Sequence, residues 1–262
     1  MPKINVYLPD DLATAVRTAD VPVSAVCQRA LADAVQIVQK VRKSVTALRN
    51  PQFDPGSHPQ FAARLVSRMT PRLRQALALA RDASATTHLV TTRHLLLGIV
   101  DQHDNLAVRL LQSLGQDVDM IRDTAQQIDS NEPLPAAVSA ATEVTPPSGD
   151  ASLSAEASLW TGLTLPSRIA IGAALEASID LGHNYLGCEH LLLGLLDDPG
   201  SGAGQVLQSV GIDKAGIRRA ITSAAAGFAQ ARQDTTGADT VKLDELIQRL
   251  EAIESRLTAA HL

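Results

Sequence analysis

A segment near the middle of the chain recurs 96 positions later, and this internal duplication is the strongest constraint on the fold. A His-Leu-Leu-Leu-Gly motif, a Leu-Gln-Ser-Leu/Val-Gly motif and an Ile-Arg pair all return at this offset. The matching pairs are 94–98 with 190–194, 111–115 with 207–211, and 121–122 with 217–218. A constant offset across three separate matches predicts two copies of one structural unit.

Each copy has the pattern of several short helices, including a Leu-rich helix that begins at the motif histidine. Gly115 and Gly211 suit the left-handed backbone position that follows a helix end. We predict the copies over 61–128 and 159–227, joined by a Pro/Ala/Ser-rich linker over 129–158. Hydrophobic residues make up 45% of the chain but aromatic residues only 2%, so Ala, Leu and Val must build a core of closely packed helices.

The second copy carries a motif that resembles the signature of the Clp N-terminal repeat. Residues 181–196 are Leu-Gly-His-Asn-Tyr-Leu-Gly-Cys-Glu-His-Leu-Leu-Leu-Gly-Leu-Leu. That repeat stands at the front of ClpA- and ClpC-type unfoldases, and the chain resembles the stand-alone ClpC-like paralogues of actinobacteria. The resemblance implies a mostly α-helical tandem repeat bundle with a binding role. Its expected ligands are substrates, adaptors, phosphoarginine-tagged proteins and cyclic-peptide antibiotics, and Clp protease components are further expected partners.

The resemblance implies that the acidic residue before the motif histidine binds the tag. Glu189 matches this residue, whereas the first copy has Arg93, whose cation would repel a guanidinium, so we expect one tag site to be lost. The alternative is that Glu189 only complements the dipole of its helix. His183, Cys188, Glu189 and His190 match no common zinc spacing, and we expect neither a metal nor another cofactor.

The resemblance also implies that cyclic-peptide antibiotics bind across the first helix of each repeat, here about 69–81 and 163–179. The expected ligand-binding residues there are mostly apolar. They are Met69, Leu73, Leu77 and Arg81 from the first copy, with Leu163, Arg168 and Leu175 from the second. Leu163 stands where the family often has Phe. The alternative is that these side chains pack the two repeats together.

The first 50 residues form a separate unit in the sequence. They carry seven Lys/Arg against four Asp, within a chain whose net charge is −5. Residues 3–8 alternate polar and apolar side chains, which predicts a short strand. Helices are expected over about 10–19 and from about Ser24 to 49, followed by a linker over 51–60.

This strand–helix–helix pattern resembles the ribbon-helix-helix repressors, in which two chains pair their first strands. The resemblance implies a homodimer whose ribbon enters the DNA major groove through the outward side chains Lys3, Asn5 and Tyr7. The start of the second helix at Ser24 would face a phosphate. The alternative is a module that only dimerises.

Several function classes lack their sequence signatures. No phosphate-binding Gly-x-x-x-x-Gly-Lys-[Ser/Thr] loop, nucleophile-elbow Gly-x-Ser-x-Gly or His-Glu-x-x-His occurs, so we expect no enzymatic activity. The sequence also has no signal-peptide pattern and no long apolar run, which predicts a cytoplasmic protein without membrane contact. Residues 238–262 have apolar residues at alternating spacings of three and four, which predicts a coiled-coil-like helix that needs a partner.

Two functional hypotheses remain. The first is a ligand-responsive DNA-binding transcriptional regulator, with the promoter of its own gene as a candidate operator. The second is a Clp protease adaptor or decoy that sequesters ligands of the ClpC-type ATPase, with the N-terminal module serving only dimerisation. The side chains of Lys3, Asn5 and Tyr7 distinguish the two, because only DNA recognition needs them.

Overall fold

The computed structural model describes residues 5–127 and 158–226 of the chain. These residues fold into α-helices without any β-strand, which confirms the mostly α-helical class. In chain order the helices are α1 (Asp10–Thr18), α2 (Val23–Arg49), α3 (Pro59–Val66), α4 (Pro71–Ala83), α5 (Thr92–Asp101), α6 (Leu106–Ser113), α7 (Val118–Gln127), α8 (Leu165–Asp180), α9 (Cys188–Leu195), α10 (Gly202–Ser209) and α11 (214–226). The predicted C-terminal helix over 238–262, Lys3 and almost all of the predicted linker over 129–158 lie outside the described residues.

The tandem repeat is visible in the way that equivalent helices begin. In both copies a threonine caps the first helix: Thr70 Oγ1 accepts a hydrogen bond from Leu73 N (3.2 Å), and Thr164 Oγ1 accepts one from Ser167 N (3.3 Å). A proline in the first turn of each helix fixes the backbone for helix entry. Helices α4–α7 therefore form the first copy and α8–α11 the second.

Within each copy the first two helices cross in van der Waals contact at a glycine. A Cβ atom on Gly98 would lie 2.1 Å from the carbonyl oxygen of Ala76, and one on Gly194 would lie 2.1 Å from that of Ala170. Only glycine permits this approach, because any side chain would overlap the neighbouring backbone. The approach brings the leucines of α5 and α9 into one shared core with α4 and α8.

Two short parallel bridges join the copies to each other. The segment before α4 pairs with the segment before α9 at Met69 and Leu186, and the segment before α8 pairs with the segment before α5 at Leu163 and Val90. The first bridge has hydrogen bonds from Leu186 N to Arg68 O (2.7 Å) and from Thr70 N to Leu186 O (2.9 Å). Each copy thus supplies a strand-like partner to the other, with an approximate twofold relation between them.

Helix α2 links the N-terminal unit to this core. Its last turns bury Val41, Val45 and Leu48 against α8. Arg49 forms an ion pair with Glu176 of α8 at 2.8 Å. The segment that follows α2 is also attached to α8, because the buried Arg168 guanidinium of α8 donates hydrogen bonds to the carbonyl oxygens of Asn50 (3.1 Å) and Phe53.

The first half of α2 and all of α1 lie outside the core, and α1 buries none of its residues. Residues 5–9 form no strand, since the pairing expected over 3–8 requires a second chain. The ribbon-helix-helix arrangement stays a prediction. No single described helix is long and apolar enough to cross a membrane; α1 and α2 meet that criterion only as a pair bent by 115°.

We expect Gly98→Ala and Gly194→Ala each to destabilise the protein by about 3 kcal/mol or more, because the added methyl overlaps backbone that cannot retreat. Gly172→Ala is the matched control: its Cβ would lie 3.5 Å from Val45 Cγ1, an ordinary contact, inside helix α8. The control should be neutral or about 1 kcal/mol more stable, because Ala favours the helix. Urea unfolding measures all three; equal stabilities of the three variants would contradict the close helix crossing.

Candidate ligand-binding site

A cleft of about 530 Å³ opens where the bridge between Met69 and Leu186 brings the two copies together. Its walls come from the start of α4, the start of α6 and the segment leading into α9. The lining residues are Thr70, Pro71, Arg72, Asn105, Leu106, Tyr185, Cys188 and Glu189. The cleft therefore belongs to both repeats, although its acidic residue comes from the second.

Glu189 places a carboxylate in this cleft although the residue is only 3% exposed. Burial raises the pKa of Glu189, while its own backbone N–H and then the Tyr185 hydroxyl lower that pKa and partly offset the effect. Its Oε1 atom is buried and has no hydrogen-bond donor among the described residues. A buried carboxylate oxygen without a donor is costly, so its burial needs an explanation.

The ring of His190 lies close to Glu189 but does not supply that donor. His190 Nδ1 is 3.3 Å from Glu189 Oε1, yet the same nitrogen accepts a hydrogen bond from Gly187 N at 3.0 Å. The proton of the neutral ring is therefore on Nε2. Burial, together with the neighbouring His183, lowers the pKa of His190 to about 3, so the ring stays neutral.

The Nε2 proton of His190 points to His183, which extends the network to Tyr185. His190 Nε2 lies 2.8 Å from His183 Nδ1, and the His183 ring stacks on Tyr185 with centroids 5.1 Å apart. His183, Glu189 and His190 have potential metal-ligating atoms within 4.8 Å of one another. Since both nitrogens of His190 are already used, we interpret this group as a hydrogen-bonded support for Tyr185 and Glu189, not as a metal centre.

The side chain of Arg72 adds a positive charge to the lining of the cleft. Arg72, in the first turn of α4, donates to Asp104 Oδ2 at 2.7 Å, and Arg109 donates to Asp104 Oδ1 at 2.7 Å. The hydrogen bonds from Arg72 and then Arg109 lower the pKa of Asp104. The lining of the cleft therefore combines the buried Glu189 carboxylate with a guanidinium that is paired to Asp104.

The first repeat keeps the histidine but not the acid. His94 Nδ1 accepts a hydrogen bond from Thr91 N at 3.1 Å, as His190 does from Gly187, and burial lowers the pKa of His94 to about 4. The half-buried Arg93 donates to the carbonyl oxygens of Ala125 (3.3 Å) and Gln126 (3.4 Å) near the end of α7. Arg93 thus stabilises a helix C-terminus from the position at which the second repeat has the buried Glu189.

Of the residues predicted to bind ligands, Glu189 alone lines this cleft. Four others, Met69, Leu73, Leu77 and Leu175, are at most 5% exposed and belong to the core. The remaining three also make structural contacts: Leu163 is half-buried in the second bridge, Arg168 holds the chain after α2, and Arg81 donates to Ser158 O at 2.6 Å. These contacts match the packing alternative, and the antibiotic groove stays a prediction.

The predicted DNA-contacting residues that are described all lie on the surface. Asn5 and Ser24 are exposed, and Tyr7 is 95% exposed. Four polar residues of the cleft were not predicted from the sequence: Thr70, Arg72, Asn105 and Tyr185. Tyr185 lies within the repeat signature, whereas Arg72 and Asn105 come from the other copy and only the bridge between the repeats brings them near Glu189.

The model of the Clp repeat (R) N-terminal domain matches residues 68–157 and 162–261. The chain belongs to this family. An uncharacterized protein of Mycobacterium tuberculosis is 33% identical over 150 residues, which is 56% of this chain and 49% of that protein. The Bacillus subtilis protein described as negative regulator of genetic competence ClpC/MecB is 26% identical over 200 residues, or 72% of this chain and 21% of that protein.

The structural comparison involves a plant Clp protein. The crystal structure of the N-terminal domain of ClpD from Arabidopsis thaliana matches with a TM-score of 0.43 and 22% identity, covering 60% of this chain and 94% of that one. The chain spans about half the length of the mycobacterial relative and about a fifth of the Bacillus protein. Membership of the family rests on the match to the Clp repeat (R) N-terminal domain, and the activities of the relatives' other parts belong to those proteins.

We expect Glu189→Gln to raise the melting temperature at about pH 8 and to lose this advantage towards pH 4. The pKa of Glu189 is raised in the folded state, so the unfolded state releases this proton more readily and stability falls as pH rises through that pKa. A glutamine side chain at this position does not ionise, so the variant does not lose this stability as the pH rises. A gain of about 1 kcal/mol would raise the melting temperature by about 2–4 °C.

Thermal unfolding followed by circular dichroism at several pH values measures this effect. Glu176→Gln, on the exposed surface of α8, is the control and should give no gain at high pH. A Glu189→Gln protein that is less stable than the wild type at high pH would contradict the cost assigned to the buried carboxylate.

Proposed function

We propose that this protein is a non-catalytic Clp N-domain protein that captures a peptide-like ligand in the cleft around Glu189. The observation that carries the proposal is the buried Glu189 carboxylate, whose Oε1 has no hydrogen-bond donor among the described residues. A guanidinium supplies planar paired donors and a compensating positive charge, and charge-assisted hydrogen bonds of this kind are strong. The acid makes the cleft selective for a cationic group.

The ligand class we favour is a phosphoarginine tag on a peptide or protein. Its guanidinium would meet Glu189, and its phosphoryl group would lie towards Arg72 and the start of α4, where the helix dipole favours negative charge. Arg93 leaves the first repeat without the acid, so we propose one such site per chain. The family relationship to ClpC supports a ligand from the Clp system, and cyclic-peptide antibiotics stay a second ligand class.

We further propose that the N-terminal unit makes the protein a DNA-binding dimer, and hence a ligand-responsive transcriptional regulator. Several apolar side chains on this unit are exposed by 40% or more, and pairing with a second copy of the chain would bury them. They are Val6, Leu8, Leu12, Val23, Val26, Leu31 and Val35. Asn5 and Tyr7 point into solvent beside them, available to base edges once two strands pair.

The second candidate function is a Clp adaptor or decoy, supported by the ligand cleft and the relationship to ClpC. It uses the same cleft but needs no DNA contact from Lys3, Asn5 or Tyr7. The two functions predict different behaviour of the N-terminal variants, whereas they predict the same behaviour at Glu189.

We expect a phosphoarginine-containing peptide to bind with a stoichiometry of one per chain in isothermal titration calorimetry. Glu189→Gln should weaken binding by at least tenfold, about 1.4 kcal/mol, because the charge-assisted hydrogen bonds are lost. Glu176→Gln should bind like the wild type, since Glu176 of α8 pairs with Arg49 of α2 and does not line the cleft. Two sites per chain, or binding that ignores Glu189→Gln, would rule out the proposed site.

For the regulator, we expect the double variant Lys3→Ala/Asn5→Ala to lose specific binding to the upstream region of its gene, at about 1–3 kcal/mol per base contact. Gel shifts at a stated salt concentration measure this, because non-specific phosphate contacts depend strongly on salt. The circular dichroism spectrum should not change. Specific binding that survives in the double variant, or is absent from the wild type, would favour the adaptor.

A further inference from the structure

A second and larger cleft, of about 960 Å³, lies between the later part of α2 and helix α3. It shares no lining residue with the cleft around Glu189. Its volume is at the upper end of the range for ligand-binding clefts. We call it the basic cleft, because its walls carry Lys40 and Lys43 from α2 and Arg64 from α3.

The charges of the basic cleft are unbalanced. Lys40 and Lys43 are three residues apart on one helix, so they lie on the same side of it. No acidic residue lines the cleft, and none of its three cations forms an ion pair within the described part of the chain. The nearby Asp54 is not a lining residue, and its carboxylate accepts hydrogen bonds from Gly56 N (3.2 Å) and Ser57 Oγ (2.6 Å). In a chain with a net charge of −5, this local excess of cations favours an anionic ligand.

Aromatic side chains form part of the wall between these cations. Phe53 stacks on His58 with centroids 4.6 Å apart, and Phe61 meets Phe53 edge-on at 4.9 Å. The Arg64 guanidinium carbon lies 5.6 Å from the centroid of Phe61, a cation–π contact that orients its donors. A ligand for this cleft therefore combines negative charge with an apolar group.

The same contacts distinguish a peptide from a nucleic acid. Bases bind single-strand sites by stacking on exposed aromatic faces. Here His58 covers a face of Phe53 and Arg64 covers a face of Phe61, and both phenylalanines are half-buried. Carboxylates need no ring face, and an oriented guanidinium binds a carboxylate through two parallel hydrogen bonds.

We propose that the basic cleft is a second binding site, which takes an acidic peptide segment of a partner protein. Carboxylates of the segment pair with Arg64 on one wall and with Lys40 and Lys43 on the other. An apolar side chain contacts the parts of Phe53 and Phe61 that His58 and Arg64 leave exposed. The two clefts then select opposite charges, so that an acidic partner and a ligand with a cationic group bind to one chain without competing.

The test uses the full chain and a fluorescein-labelled peptide, Glu-Glu-Leu-Asp-Phe-Glu-Glu, followed by fluorescence anisotropy. We expect saturable binding that weakens at least tenfold in Lys40→Glu/Lys43→Glu and in Arg64→Gln. A peptide with Gln and Asn in place of Glu and Asp should bind at least tenfold more weakly than the acidic one. The matched control is Arg29→Glu/Arg74→Glu, which changes the net charge equally at exposed residues elsewhere and should stay within twofold of the wild type.

Because Lys40, Lys43 and Arg64 are exposed, the variants should keep the wild-type circular dichroism spectrum and melting temperature. Glu189→Gln should bind the acidic peptide like the wild type, which separates this site from the tag site. The proposal fails if the acidic peptide does not bind saturably, or if both double variants lose equal affinity. It also fails if a single-stranded oligonucleotide of equal charge binds more tightly and depends on Lys40 and Lys43.

Discussion

The pairing between the two repeats is the constraint on which the rest of the structure depends. Each copy lends the segment before its first helix to the segment before the second helix of the other copy, at Met69 with Leu186 and at Leu163 with Val90. These bridges satisfy backbone groups that would otherwise be buried without partners. They also fix where the helix starts of one copy face the motif residues of the other, and this position creates the cleft around Glu189.

The two copies of the repeat differ at the residue before the motif histidine, which is Arg93 in the first copy and Glu189 in the second. Both keep a histidine that accepts a backbone N–H at the start of the second helix, and both keep the glycine that lets helices cross closely. Only the second copy keeps a buried carboxylate, whose burial works against stability. Arg93 occupies the same position in the first copy and donates to carbonyl oxygens of α7.

The sequence predicted the helical repeat and the two N-terminal helices, because these follow from local periodicity and a motif within one copy. It also singled out Glu189, whose role in ligand binding stays a prediction. It could not assign Met69, Leu73 and Leu175 to the core instead of a groove, since an apolar helix face has the same pattern in both cases. Arg72 and Arg168 depend on contacts between distant segments, and no local pattern encodes them. The basic cleft was missed for the same reason: its lysines and Arg64 lie on two helices separated by the turn that carries Phe53.

The central claim is that one ligand cleft, at the junction of the repeats, is open to a ligand with a cationic group. Amide chemical-shift mapping by NMR during titration with free phosphoarginine tests it most directly, because it locates binding on the whole chain. If phosphoarginine binds in this cleft, the largest shifts cluster at Thr70, Arg72, Asn105, Tyr185 and Glu189, and residues around Arg93 stay unchanged. Equal shifts at Arg93 and Glu189, or shifts confined to residues away from the cleft, would contradict it.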